Sequence, residues 1–111
     1  MKNILFFFAI LLAAHTTSQA QTADAMTSKF RVSGNCGMCK ERIEKAAGKV
    51  KGVSFADWNE DTKLLTIQFD PAKTQPSKVH KAVAAVGHDT ELAKAKDKVY
   101  NRLPNCCKYR E

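Results

Sequence analysis

With 111 residues, 18 lysines and arginines against 11 acidic residues, and a formal net charge of +7, the chain is short and basic. That length supports one modest apolar core and excludes a second domain or a large enzyme. The positive excess points to an acidic partner or surface, or simply to a solvated face with surplus lysine.

The first twenty residues read as an export signal, not as part of the fold. Lys2 supplies the positive start, and residues 4–14 form an apolar run of about eleven, far short of the roughly 20 that cross a bilayer. Ser18 and Ala20 place small residues ahead of an expected cut after Ala20. Residues 1–20 are therefore read as the signal and 21–26 as a disordered lead-in to a mature chain of about 91 residues. Export to the periplasm makes nucleic acid an unsuitable target for the charge, and no membrane insertion is expected once the signal is gone.

Residues 27–32 alternate, with Phe30 and Val32 on one side, which predicts a half-buried strand. Gly34 and Gly37 interrupt it and are expected to supply backbone angles that side chains forbid. From about Met38 a helical period begins, with Ile43, Ala46, Ala47 and Val50 on one stripe. After Lys51 and Gly52, residues 53–57 read as a second strand with Val53 and Phe55 on one side. Asn59, Glu60, Asp61 and Thr62 form a turn into a third strand carrying Leu65, Ile67 and Phe69, with Trp58 covering one end of the hairpin. Thr74 is the expected cap of a second helix with Pro76 in its first turn and Val79, Ala82, Val83 and Val86 on its stripe; His80 falls off that stripe and is expected at the surface. Gly87 ends the helix, and residues 90–95 are expected to form a last strand. The order, strand, helix, strand, strand, helix, strand, predicts an α+β ferredoxin-like βαββαβ sandwich: a four-stranded antiparallel sheet with both helices on one face, spanning residues 27–96.

Cys36 and Cys39 stand three positions apart across the junction of the first strand and first helix. One thiol from the loop and one from the first helical turn can converge on a single ion. The helix N-terminus, with Lys40 and Arg42, favours the thiolate forms that bind metal. Soft sulfur selects Cu(I), Hg(II), Zn(II) or Cd(II) over magnesium or calcium. A CxxC pair alone also marks thiol-disulfide oxidoreductases, with Cys36 as nucleophile and Cys39 as resolving thiol, or half of a structural zinc site in an interaction module. No carboxylate pair, nucleophile triad or phosphate loop is visible elsewhere.

The strand, Cys36-Gly37-Met38-Cys39, helix, Gly52-Val53, hairpin, second helix and Gly87 together make the chain resemble the heavy-metal-associated domain family. That family includes copper chaperones, a periplasmic mercury-binding protein and the N-terminal modules of metal-transporting ATPases. The resemblance implies a non-enzymatic metal chaperone or scavenger that carries Cu(I) or Hg(II) on Cys36 and Cys39. It also implies delivery by thiol exchange to a membrane metal transporter or its metal-binding domain, from a monomer or a metal-bridged dimer. Relatives commonly carry a methionine two residues before the first motif cysteine; here Gly34 stands there, and Met38 is expected to pack beneath the loop instead. In this fold the loop holding His88 lies beside the CxxC loop, so His88 is a candidate third ligand or hydrogen-bonding neighbour, against the alternative of a plain exposed histidine.

Residues 97–111 exceed what such a domain requires and contain Cys106 and Cys107. Ten extended residues reach about 33 Å, more than the length of a six-residue strand, about 20 Å. The tail can therefore return to the motif, with Tyr100 and Leu103 pinning it, Pro104 turning it, and Cys106 or Cys107 approaching Cys36 and Cys39. Adjacent cysteines aim both sulfurs at one ion only through a tight turn, so one tail ligand is expected more readily than two. A free tail, a vicinal disulfide and an intermolecular bridge are the alternatives.

Overall fold

Alternation and helical periodicity place the elements where the sequence suggests, with three informative exceptions. The computed structural model describes residues 24–110; residues 1–23, which contain the expected export signal, and residue 111 lie outside the described residues. The elements are β1 (Met26–Arg31), α1 (Gly37–Gly48), β2 (Val53–Trp58), β3 (Leu64–Phe69), α2 (Pro76–Ala85), a one-turn helix α3 (Asp97–Tyr100) and a 3-10 turn at Asn105–Cys107. Among the described residues no helix is long and apolar enough to cross a membrane.

The sheet has the order β1-β3-β2, all antiparallel. Leu65, Ile67 and Phe69 point inward along β3, opposite Phe30 of β1 and Trp58 of β2. Against this face pack Cys39, Ile43, Ala46 and Ala47 of α1 with Val79 and Val83 of α2, forming one cluster. Each fully buried Ile, Leu or Val contributes about 1.5–3 kcal/mol of hydrophobic stabilisation. This cluster is therefore the main source of hydrophobic stabilisation among the described residues.

The first exception is the fourth strand. In place of a strand over residues 90–95, the region keeps a single bridge between Val32 and Thr90. The Thr90 hydroxyl accepts the N–H groups of Leu92 (3.3 Å) and Ala93 (3.0 Å), and the Thr90 N–H donates to the Ala93 carbonyl at 2.7 Å. Those bonds curl the backbone into a turn that cannot also run along β1. The Glu91 carboxylate instead takes the Arg31 N–H at 2.8 Å, capping the open edge of β1 with a side chain. The fold is thus α+β with a three-stranded sheet.

The second exception is the facing of β2. A register shift between Val53 and Phe55 reverses the alternation, so Phe55 is exposed while Ala56 and Trp58 turn inward. The third is His80, which is buried at 3% exposure, not at the surface. Its ring stacks on Phe30 at 3.7 Å between centroids. Nδ1 lies 2.6 Å from the Thr90 hydroxyl, which already accepts two backbone N–H groups and so donates its own proton to the ring. A histidine satisfied at one nitrogen and stacked on an aromatic ring is at home in an apolar core.

Helix ends also differ in detail. Gln75, not Thr74, is the N-cap of α2, without a side-chain cap bond, and Thr74 is buried. Its side chain lies against Gly52, whose φ of +100° is closed to most side chains.

Candidate metal centre

The head of α1 collects the sulfurs. Cys36 is the N-cap residue, with extended backbone angles, and its carbonyl accepts the Lys40 N–H at 3.0 Å to start the helix. Cys39 lies within the first turn and is fully buried, its sulfur accepting the Asn35 N–H at 3.4 Å. The two sulfurs are 3.4 Å apart. Neither Gly34 nor Gly37 has a positive φ, so the expected unusual loop angles are absent. Gly34 is needed for space: a Cβ there would sit 3.0 Å from the Trp58 ring and 3.1 Å from Cys39 Cβ. The buried support of the loop is therefore Trp58, whose indole N–H donates to the Val32 carbonyl at 3.1 Å, and not Met38, which is 51% exposed.

The tail does return to the loop. Leu103 lies against Gly87, whose φ is +110° and whose Cβ would meet it at 2.9 Å. Tyr100 and Tyr109 pack edge to face at 5.0 Å, and the Tyr109 hydroxyl donates to the Gly87 carbonyl (2.6 Å) while accepting the Asp89 N–H (2.8 Å). Arg110 closes the arrangement: Nη2 and Nε reach the two oxygens of Asp89 at 2.8 and 3.2 Å, and Nη1 reaches Asp97 at 2.9 Å. Asn35, beside the motif, donates to the Lys108 carbonyl at 3.1 Å.

This docking delivers both tail thiols. The 3-10 turn, closed by the Cys107 N–H on the Pro104 carbonyl at 2.8 Å, is the tight turn that adjacent cysteines need to face one point. Cys107 Sγ is fully buried 3.5 Å from Cys36 Sγ and 3.9 Å from Cys106 Sγ. Exposed Cys106 donates to the Met38 thioether at 3.5 Å. All four cysteines are free thiols. Among the described residues the cluster of potential metal ligands comprises Cys36, Cys106 and Cys107, whose sulfurs lie within 4.8 Å of one another.

Charge is distributed unevenly over these sulfurs. Burial opposes ionisation of Cys36, but hydrogen bonds from the Cys39 backbone N–H and the thiols of Cys39, Cys106 and Cys107 outweigh it and lower its pKa to about 7. Cys107 moves the opposite way, pushed up by burial and by its bonds to Cys39 and Cys36, with Arg42 opposing. Cys106 is raised chiefly by its hydrogen bond to Cys36. Of Cys36, Cys106 and Cys107, only Cys36 is thus shifted toward its thiolate form. The cation nearest the cluster is Arg42, whose Nη1 donates to Cys107 Sγ at 3.4 Å. Lys40 does not serve the sulfurs as expected: its ammonium is held by Glu44 (2.8 Å), Asp57 (2.8 Å) and the Trp58 carbonyl (2.7 Å).

His88 lies beside the loop but outside the sulfur cluster. It is fully buried, not exposed, and Nδ1 bonds the Ser33 carbonyl at 2.8 Å. A carbonyl only accepts, so Nδ1 carries the proton and Nε2 presents a lone pair that has no partner. The ring stacks on Tyr109 at 5.6 Å, which makes His88 the link between the strand entering the motif and the returning tail. Burial, aided by Arg42, lowers its pKa, and the Ser33 bond only partly offsets this. Sequence reasoning placed Trp58 over the end of the hairpin but not beside the motif, and it missed Asp89, Tyr109 and Arg110. The sole hint was a Tyr-Arg pair in a tail longer than the fold needs.

The Heavy-metal-associated domain profile matches residues 29–89. The copper chaperone CopZ of Staphylococcus aureus is 33% identical over 55 residues, covering 50% of this chain and 81% of that protein. The crystal structure of oxidized MerP from Ralstonia metallidurans superposes with a TM-score of 0.52 at 33% identity, over 60% of this chain and 96% of the other. The N-terminal domain of a potential copper-translocating P-type ATPase from Bacillus subtilis, in its Cu(I)-loaded state, gives 0.58 at 28% identity, over 68% of this chain and 95% of that one. The profile stops short of the tail that carries Cys106 and Cys107.

Proposed function

Because this chain belongs to the heavy-metal-associated domain family, we propose that it is an exported, periplasmic carrier of a soft metal ion, Cu(I) or Hg(II), held on Cys36 and Cys39. The observation that carries the reading is the pair of sulfurs 3.4 Å apart at the head of α1, one of them poised to ionise near neutrality. A thiolate at a helix N-terminus is stabilised by the partial positive charge of unpaired N–H groups and is ready to take a cation without waiting for a base. Soft thiolates then favour Cu(I) and Hg(II), with Zn(II) and Cd(II) as weaker competitors in the carrier role.

Delivery proceeds by thiol exchange. An incoming thiolate from a membrane metal transporter adds to the ion, and one of this chain's sulfurs leaves, so the ion is never free in solution. Arg42, Lys45 and Lys49, against the single acid Glu41, line a groove of about 390 Å³ with Met38 and Val86, and this positive balance suits an acidic partner. Lys40, engaged with Glu44 and Asp57, is left out of that surface.

The relatives are metallochaperones and metal-binding domains and not enzymes, which sets aside a thiol-disulfide oxidoreductase. The size of the apolar core argues against a zinc staple, since a stapled domain unfolds when its ion is removed. The deciding experiment is metal analysis of the mature chain purified without oxygen, alongside the double variant Cys36→Ser, Cys39→Ser, with Cu(I) and Hg(II) offered in competition. One soft ion per chain, lost or held far more weakly when Cys36 and Cys39 are both replaced, supports the proposal. Undiminished binding in the double variant refutes it.

A further inference from the structure

The tail brings two more sulfurs to Cys36 than a paired site requires, and their spacing is informative. At the zinc–sulfur distance of about 2.3 Å, a lower bound for the larger Cd(II) and Hg(II), three sulfurs arranged trigonally stand about 4.0 Å apart and two arranged linearly about 4.6 Å. Cys107 lies 3.5 Å from Cys36 and 3.9 Å from Cys106, and all three sulfurs fall within 4.8 Å. Cys36 and Cys39, at 3.4 Å, must spread by more than 1 Å to grip an ion linearly. The three-sulfur group is therefore closer to its loaded geometry than the pair is. It is also built into the fold, since Cys107 is fully buried and the 3-10 turn holding it is fixed by Tyr109 and Arg110 further along the chain.

Resting on the carrier reading above, we propose that Cys36, Cys106 and Cys107 form a three-thiolate subsite for a soft d10 cation of the Cd(II) or Hg(II) class, sharing Cys36 with the Cys36–Cys39 pair. Filling it from solution forms three metal–sulfur bonds and releases the protons still on the three sulfurs, with no change of oxidation state. Passing an ion from the pair breaks the bond to Cys39, whose sulfur takes up a proton. Bonds to Cys106 and Cys107 form as these lose theirs. Three thiolates and a divalent ion leave one net negative charge, which faces Arg42 and the start of α1. The tail then acts as an internal acceptor that retains a divalent ion, and a transfer partner must displace it.

The test uses the full mature chain, reduced and free of oxygen, with one equivalent of Cd(II) alone. X-ray absorption should count at least three sulfurs, and alkylation followed by mass spectrometry should find Cys36, Cys106 and Cys107 protected together. The Cys106→Ser, Cys107→Ser variant should lose about 100-fold in Cd(II) affinity, because tethered ligands act at high effective concentration. Two sulfurs, with Cys36 and Cys39 protected and both tail thiols freely alkylated, would overturn the subsite while leaving the carrier reading intact. Protection of no thiol would sink both. The sulfur count on the unsubstituted chain holds whether or not the variant keeps its tail docked.

Discussion

Replacing Asp89 by Asn should loosen the tail without unfolding the domain. The carboxylate accepts three bonds: the Ala95 N–H at 2.7 Å and the Arg110 guanidinium at 2.8 and 3.2 Å. Asparagine keeps an oxygen for Ala95 but loses the charge that holds Arg110. A hydrogen bond to a charged group contributes about 1.5–3 kcal/mol, and partial exposure of the pair reduces what two such bonds supply, so a loss of about 2 kcal/mol is reasonable. Since about 1.4 kcal/mol is a factor of ten, the open state of the tail should rise about 30-fold. Cys107 has no exposed surface when docked, so its alkylation reports that open state. In a Cys106→Ser background at pH 7, the rate of Cys107 modification should rise by that factor while thermal unfolding of the core shifts little. A change smaller than about threefold would refute the view that Asp89 and Arg110 hold the tail down.

Other consequences are equally measurable. Gly34→Ala should cost about 1–3 kcal/mol in denaturant unfolding, because the new methyl meets Trp58 and Cys39 at 3.0–3.1 Å and neither can move away in a packed core; an unchanged midpoint would contradict this. The His88 pKa is lowered by burial, so the unfolded chain takes a proton that the folded chain refuses. Stability is then fully present above the ordinary histidine value, about 6.5, and falls as the pH drops from there toward the folded pKa. His88→Phe should flatten that slope in urea titrations, and an undiminished slope would place its origin elsewhere. Asp89 is also held below the usual carboxylate range: burial opposes its ionisation, but Arg110 and the Ala95 N–H outweigh it. Tail docking should therefore persist above about pH 4 and weaken as the pH falls through the depressed value, seen as loss of the Tyr109 and Arg110 amide signals in NMR spectra. Stripping the ion with a chelator should leave the circular dichroism of the domain intact, because the core stands without it.

Helix stripes and the hairpin were legible because burial on one face imposes a period that survives in the residues themselves. The return of the tail was legible as well, since reach is a matter of chain length and Tyr100 and Leu103 are the apolar anchors available. What escaped depended on single contacts. The last strand failed because one threonine hydroxyl captures two amides, an outcome that the β-compatible composition of residues 90–95 does not reveal. Phe55 faces outward because of a one-residue irregularity that simple alternation does not anticipate. His80 was misplaced because polarity was weighed and its partners, Phe30 and Thr90, are distant in the chain. At the sulfurs, the motif announced itself, whereas Gly34 proved to be a matter of room, not of backbone angle, since the tryptophan it accommodates lies on another strand.

The chain has one tryptophan, and Trp58 shares with Cys39 the space beside Gly34. A heavy cation bound at Cys36 and Cys39, as proposed, would alter the light emitted by an indole next door, through spin–orbit coupling and electron transfer. Loading and unloading can therefore be followed as changes in native fluorescence, in real time and without a dye, on a molecule whose optical gauge is part of its own interior.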